Sequence, residues 1–141
     1  MTEGRNEYGV IGLGRMGGNL ARQALEKGTR VVGFTRHGAP SDMIEAGLVE
    51  VRSFEDLKAQ LAPPRVVFLY IPSGPAVDKI LDDLSEELEE GDVLVDGGNS
   101  YWGDSIRRHH WLKEKGINFV DLGTSGGVEG ARHGACFMAG G

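Results

Sequence analysis

Apolar residues along this chain follow two alternating rhythms. Short continuous runs at residues 8–13, 30–34, 65–71 and 93–95 alternate with stretches whose apolar positions recur every three or four residues, as Val77, Ile80, Leu81 and Leu84 do. Runs of the first kind suit buried strands, and stretches of the second suit amphipathic helices. Residues 16–26 read as the first such helix. Ser41 is placed to cap a short helix over 42–46 that Gly47 ends. Ser53-Phe54-Glu55-Asp56 resembles a capping box opening a helix to Leu61, which Pro63-Pro64 stops. A helix over about 102–115 carries Ile106 and Trp111 as core candidates and stops at Gly116, with strands at 118–122 and 135–138. Strand and helix alternate throughout, which predicts an α/β fold. Its expected form is a doubly wound, mostly parallel sheet between two helical layers. Without a repeat, low-complexity tract or linker, residues 1–141 read as one domain.

The first strand and helix are joined by Gly12-Leu13-Gly14-Arg15-Met16-Gly17. In a dinucleotide-binding crossover of the Rossmann type, glycines at this spacing divide the work. The first makes the turn, the second lets a pyrophosphate approach the backbone, and the third lets helix and strand pack closely. The N–H groups and positive dipole end of the helix then face the phosphates. A second β-rich run at 30–34 follows at the distance a βαβ unit requires. In such sheets ligands lie beyond the carboxyl ends of the strands. The bends at Gly12 to Gly17, Thr35 to Gly38, Pro72 to Gly74, Gly98 to Ser100 and Ser125 to Gly127 each follow a strand and are expected to line one edge.

Composition narrows the partners. At 40% hydrophobic and 26% charged residues the chain has the make-up of an ordinary globular domain, and its formal net charge of -6 with no basic tract argues against nucleic-acid or membrane-surface binding. A polar start without a signal-type apolar stretch, and no run of transmembrane length, predict a cytoplasmic protein. The lone Cys136 excludes an internal disulfide and a cysteine-built metal cage, and reads as a small apolar residue of a late strand. No metal site is expected.

The coenzyme type is decided at the end of the second strand. NAD-binding units place Asp or Glu there for the ribose hydroxyls. This chain has Thr35-Arg36-His37 and no carboxylate at that point. The planar guanidinium of Arg36 suits a 2′-phosphate and can stack on adenine, so NADP is the expected coenzyme with NAD as the alternative.

Three blocks together resemble the amino-terminal domain of decarboxylating 6-phosphogluconate dehydrogenases: Ile11-Gly12-Leu13-Gly14-Arg15-Met16-Gly17, Val95-Asp96-Gly97-Gly98-Asn99-Ser100 and Ser125-Gly126-Gly127-Val128-Glu129-Gly130-Ala131-Arg132-His133-Gly134. The likeness runs from Tyr8 to Gly141. It implies that Gly12, Leu13, Gly14, Arg15, Met16 and Gly17 hold the pyrophosphate, that Thr35, Arg36 and His37 meet the 2′-phosphate, and that Ile71, Pro72 and Ser73 pass along the coenzyme. It also implies that Asn99 touches coenzyme and sugar acid, and that Ser125, Gly126 and Gly127 bind the carboxylate end of a small sugar-acid phosphate. A hydroxyl, an amide and bare backbone N–H groups can surround an anion without bulk. A helix N-cap at Asn99 and a plain turn at Gly126-Gly127 are the competing readings of those positions.

The family's turn commonly reads Asn-Arg-Thr, so here the arginine is kept and its flanks are not. The family's catalytic lysine and glutamate belong to a downstream helical region for substrate binding and dimerisation. No position here matches them, so no catalytic residue is assigned, and Glu129 and His133 are given no such role. The resemblance therefore implies an incomplete coenzyme domain, inactive alone, whose uncovered apolar surface favours a homo-oligomer. Another β-hydroxyacid dehydrogenase and a non-catalytic NADP-binding module are the rival expectations.

Overall fold

The computed structural model describes residues 7–35, 38–71, 75–97, 102–125 and 136–140. The chain runs β1 (Glu7–Ile11), α1 (Arg15–Glu26), β2 (Arg30–Phe34), α2 (Ser41–Glu45), β3 (Val49–Val51), α3 (Phe54–Gln60), β4 (Val66–Leu69), α4 (Pro75–Glu87), β5 (Val93–Asp96), α5 (Trp102–Glu114), β6 (Asn118–Ser125) and β7 (Cys136–Gly140). One sheet takes all the strands in the order β3-β2-β1-β4-β5-β6-β7. Neighbours from β3 to β6 pair in parallel, and β7 returns antiparallel along β6.

Each strand's alternating side chains feed two apolar layers. Ile11, Val32, Val67, Leu69, Leu94 and Phe119 pack with Leu57 of α3, Val77, Leu81 and Leu84 of α4 and Leu112 of α5. Val10 and Val31 pack on the opposite side with Ala21 of α1 and Met43 of α2. Burying a leucine such as Leu57 or Leu69, both 0% exposed, contributes about 1.5–3 kcal/mol. This is the expected doubly wound, three-layer arrangement. At the amino edge of the sheet, Asp92 accepts from the Arg65 and Glu89 backbone N–H groups, each at 2.8 Å, and fixes how α4 returns into β5.

Local signals account for most boundaries. Ser53 caps α3, its Oγ accepting the Asp56 N–H at 3.1 Å. Gly47 and Gly116 follow the helices they were expected to end. Three local expectations need correction. Ser41 is not the cap of α2 but its first residue; Pro40 holds the cap position, with no side-chain bond. Ile106 is 51% exposed, because α5 turns Arg108 and Leu112, four residues apart, toward the sheet. Trp111 is only partly buried, at the margin of the core. The strand Val49–Val51 carries no clear periodic signal and emerges only from its pairing with β2.

Candidate coenzyme site

Pairing aligns the carboxyl ends of five strands. Val51, Phe34, Ile11, Leu69 and Asp96 lie in one row across the sheet, so the next residues, Arg52, Thr35, Gly12, Tyr70 and Gly97, leave along one edge. This brings the ends of β1, β2, β4 and β5 to one edge as expected, whereas residues 36–37, 72–74, 98–100 and 126–127 of the expected bends lie outside the described residues. The order reverses at β1, flanked by β2 and β4, and the glycine turn follows that strand. A cavity of about 630 Å³ opens there, lined by Gly12, Leu13, Phe34, Thr35, Ile71 and Lys79 among others. Its size and apolar walls suit an organic ligand. A smaller one, about 270 Å³, lies on the α1 side of the sheet over Tyr8, Phe68 and Tyr70, away from most of the strand-end bends.

The three glycines differ in their surroundings. Gly12 has φ +98°, and a Cβ there would strike the Tyr70 carbonyl oxygen. Only a residue without a side chain combines that dihedral with that closeness. A Cβ on Gly17 would strike the Gly12 carbonyl oxygen and lie 3.0 Å from Tyr70 Cβ, so its absence seats α1 against the turn. Gly14 has nothing within 4 Å of its Cβ position. It is the exposed N-cap of α1, no side chain bonds to that cap, and the first turn holds no acid. The helix mouth thus presents backbone N–H groups and positive dipole to open space, which suits an anion. Arg15 and Met16 open this helix.

Around the second strand end the bend is stitched down. Thr35 Oγ1 accepts the Gly38 N–H at 2.6 Å, and Glu50 Oε2 accepts the Ala39 N–H at 2.9 Å. Arg36 and His37 lie outside the described residues. Ile71 lines the cavity, whereas Pro72, Ser73 and Asn99 lie outside the described residues. Ser125 closes β6; Gly126 and Gly127 also lie outside them.

Sequence inspection missed a charged tie behind the edge. Arg108, fully buried, donates Nε to Asp78 Oδ1 at 2.8 Å and brings Nη1 within 3.6 Å of Asp96 Oδ2, itself fully buried. Arg107 reaches the same Asp78 carboxylate at 3.2 Å. The hydrogen bond from Arg108, then that from Arg107, hold the Asp78 carboxyl below the usual carboxylate range against an opposing effect of burial. The tie joins the first turn of α4 to the end of β5. Nothing in sequence spacing announces it, since the partners meet only after the sheet forms.

Strand order, aligned strand ends and an open helix mouth define a dinucleotide-binding domain of the doubly wound class. Residues 7–141 match the family model described as the NAD binding domain of 6-phosphogluconate dehydrogenase, and the chain belongs to that family. It is 44% identical over 136 residues to the putative 6-phosphogluconate dehydrogenase YqeC of Bacillus subtilis (strain 168), covering 96% of this chain and 46% of that one. Against the decarboxylating 6-phosphogluconate dehydrogenase of Haemophilus ducreyi it is 43% identical over 143 residues, covering 97% of this chain and 30% of the relative. The chain therefore spans less than half the length of these relatives. Among solved structures it is similar to Plasmodium falciparum 6-phosphogluconate dehydrogenase, described in apo form, with NADP+ and with 6-phosphogluconate; the TM-score is 0.85 at 34% identity, over 96% of this chain and 30% of that one. Mycobacterium tuberculosis 3-hydroxyisobutyrate dehydrogenase gives a TM-score of 0.86 at 26% identity, over 97% and 47%. No helix among the described residues is long and apolar enough to cross a membrane.

Proposed function

We propose that this chain is the coenzyme-binding part of an NADP-dependent, decarboxylating 6-phosphogluconate dehydrogenase. The observation that carries the reading is the uncapped mouth of α1 at the reversal of strand order, with clear space over Gly14 and close packing at Gly12 and Gly17. The backbone of Gly12 to Gly17 holds the diphosphate, with Leu13 and Ile71 against the nucleoside. Arg36, flanked by Thr35 and His37, takes the 2′-phosphate, and Pro72 and Ser73 continue the coenzyme wall. Asn99 bridges coenzyme and sugar acid, while Ser125, Gly126 and Gly127 hold the carboxylate of 6-phosphogluconate.

Bound at this site, NADP would supply a hydride acceptor for C3 of the sugar acid, whose hydroxyl proton would pass to a base; the resulting 3-keto acid would lose CO2 and tautomerise to ribulose 5-phosphate. What this chain contributes is binding and orientation. The proton transfers require an acid and a base near the substrate. In this reading those groups come from outside residues 1–141, and the chain alone binds coenzyme without turnover. The protein works in the cytoplasm as a homo-oligomer in the same reading.

Calorimetric titration of the chain with NADP and NAD, for wild type and Arg36→Ala, tests the coenzyme half. The expected result is tighter NADP binding that Arg36→Ala selectively weakens; equal effects on both coenzymes overturn it. Following NADPH formation from 6-phosphogluconate with the longer protein tests the substrate half. The likeness to 3-hydroxyisobutyrate dehydrogenase supports a second reading, oxidation of a small 3-hydroxy acid, which a substrate panel on that longer protein separates. Nucleotide binding with no sugar-acid response in either form would instead favour a non-catalytic module.

A further inference from the structure

We propose that Arg52, at the end of β3, is a coenzyme-specificity residue that supplies a second guanidinium for the 2′-phosphate; this rests on the NADP reading above. Register places it. Phe34 pairs with Val51, and the Thr35 N–H donates to the Val51 carbonyl at 3.3 Å, so β3 delivers its next residue beside the bend that follows β2. Arg52 then leans over that bend, with Nη2 3.6 Å from the Cβ position of Gly38. Its Nε donates to Glu50 Oε2 at 3.3 Å, and the same oxygen accepts the Ala39 N–H. Glu50 therefore aims the guanidinium and anchors the bend together.

Charge gives the arrangement its meaning. Glu50 Oε2 stands 3.9 Å from the Gly38 Cβ position, a carboxylate brought to this bend by β3 although the end of β2 carries none. Alone it would repel a 2′-phosphate and suit a ribose hydroxyl. Arg52 cancels that charge. Among the described residues only its Nε is engaged, and the side chain is 61% exposed, so the terminal nitrogens are left to form a fork toward an anion. The cavity is lined by Thr35 and Gly38 of this bend and by Lys79, whose ammonium, 76% exposed, is 3.4 Å from Asp83. The Glu50–Arg52 pair thus sets which coenzyme the bend accepts.

The test compares 2′,5′-ADP with 5′-ADP, and NADP with NAD, on the full-length protein carrying Arg52→Ala, Arg52→Lys, or Arg52→Ala with Glu50→Gln. Lys113→Ala, in the last turn of α5 at the other edge of the sheet, controls for net charge. Expected are about a tenfold loss of 2′,5′-ADP and NADP affinity in Arg52→Ala, with 5′-ADP and NAD within about twofold. A smaller loss is expected in Arg52→Lys, and partial recovery when Glu50→Gln is added. Equal losses for both ligand pairs, or no loss, overturn the proposal. If Arg36→Ala weakens NADP selectively while Arg52→Ala does not, only this inference fails. If wild type does not favour 2′,5′-ADP over 5′-ADP, the NADP reading fails with it.

Discussion

Replacing Gly14 with alanine should separate folding from coenzyme binding. Its φ of -78° is accessible to any L residue, and the added Cβ meets nothing within 4 Å. Alanine is a poorer N-cap than glycine by up to about 1 kcal/mol, while the stiffer unfolded chain returns about 0.4–1 kcal/mol. Stability should therefore change by less than about 1 kcal/mol. Binding has no such compensation, because the methyl group occupies the space through which a diphosphate reaches the helix mouth. Losing even one charge-assisted hydrogen bond costs about 1.5–3 kcal/mol, or roughly 10- to 150-fold in affinity. Urea unfolding and calorimetric titration with NADP on the same preparation supply both numbers. Native stability with unchanged affinity would refute the placement of the diphosphate at this mouth; an unfolded variant would refute the open space.

The other two glycine positions and the buried charges should behave differently. Gly17→Ala pushes a Cβ into the Gly12 carbonyl and should cost about 1–3 kcal/mol in urea unfolding, with a neutral result refuting the close seat of α1. Arg108→Met removes the fully buried guanidinium that bonds Asp78 and lies within 3.6 Å of Asp96, and should cost about 3–5 kcal/mol, whereas Arg107→Ala, 55% exposed on the same Asp78, should change stability by less than about 1 kcal/mol. Burial, then the nearby Tyr70, raises the Tyr8 phenol above its ordinary range. Below about pH 10 the phenol is neutral in folded and unfolded chains alike, so its contribution is complete. Above that, only the unfolded chain ionises and stability falls as pH rises. Urea midpoints at about pH 9 and 11 should fall more steeply for wild type than for Tyr8→Phe; equal slopes would mean a hydrated phenol.

How much of this could be read beforehand follows from where each signal resides. The glycine turn was legible because its constraints are local: a turn at Gly12 and a helix seat at Gly17, five residues apart. Strands such as Val66–Leu69 and helices such as Pro75–Glu87 announced themselves through uninterrupted or periodic apolar positions. Val49–Val51 did not, since three residues with one buried side chain carry no period. Ile106 misled because the inward stripe of α5 includes an arginine, which a hydrophobic pattern assigns to solvent. For the same reason Asp78–Arg108–Asp96 and Glu50–Arg52 were invisible as site features. The first spans three elements, and the second is a near neighbour in sequence whose importance comes only from the register of β3 on β2.

Tyr70 meets two of the turns in chemically different ways. Its carbonyl abuts the Cβ position of Gly12, whereas its ring abuts that of Gly97. Every amino acid carries the carbonyl, so the bar on a side chain at position 12 is unconditional over evolutionary drift. The bar at position 97 depends on the aromatic ring. A lineage that first trades Tyr70 for a small residue becomes free to acquire alanine at 97, while the reverse order of substitutions passes through a clash.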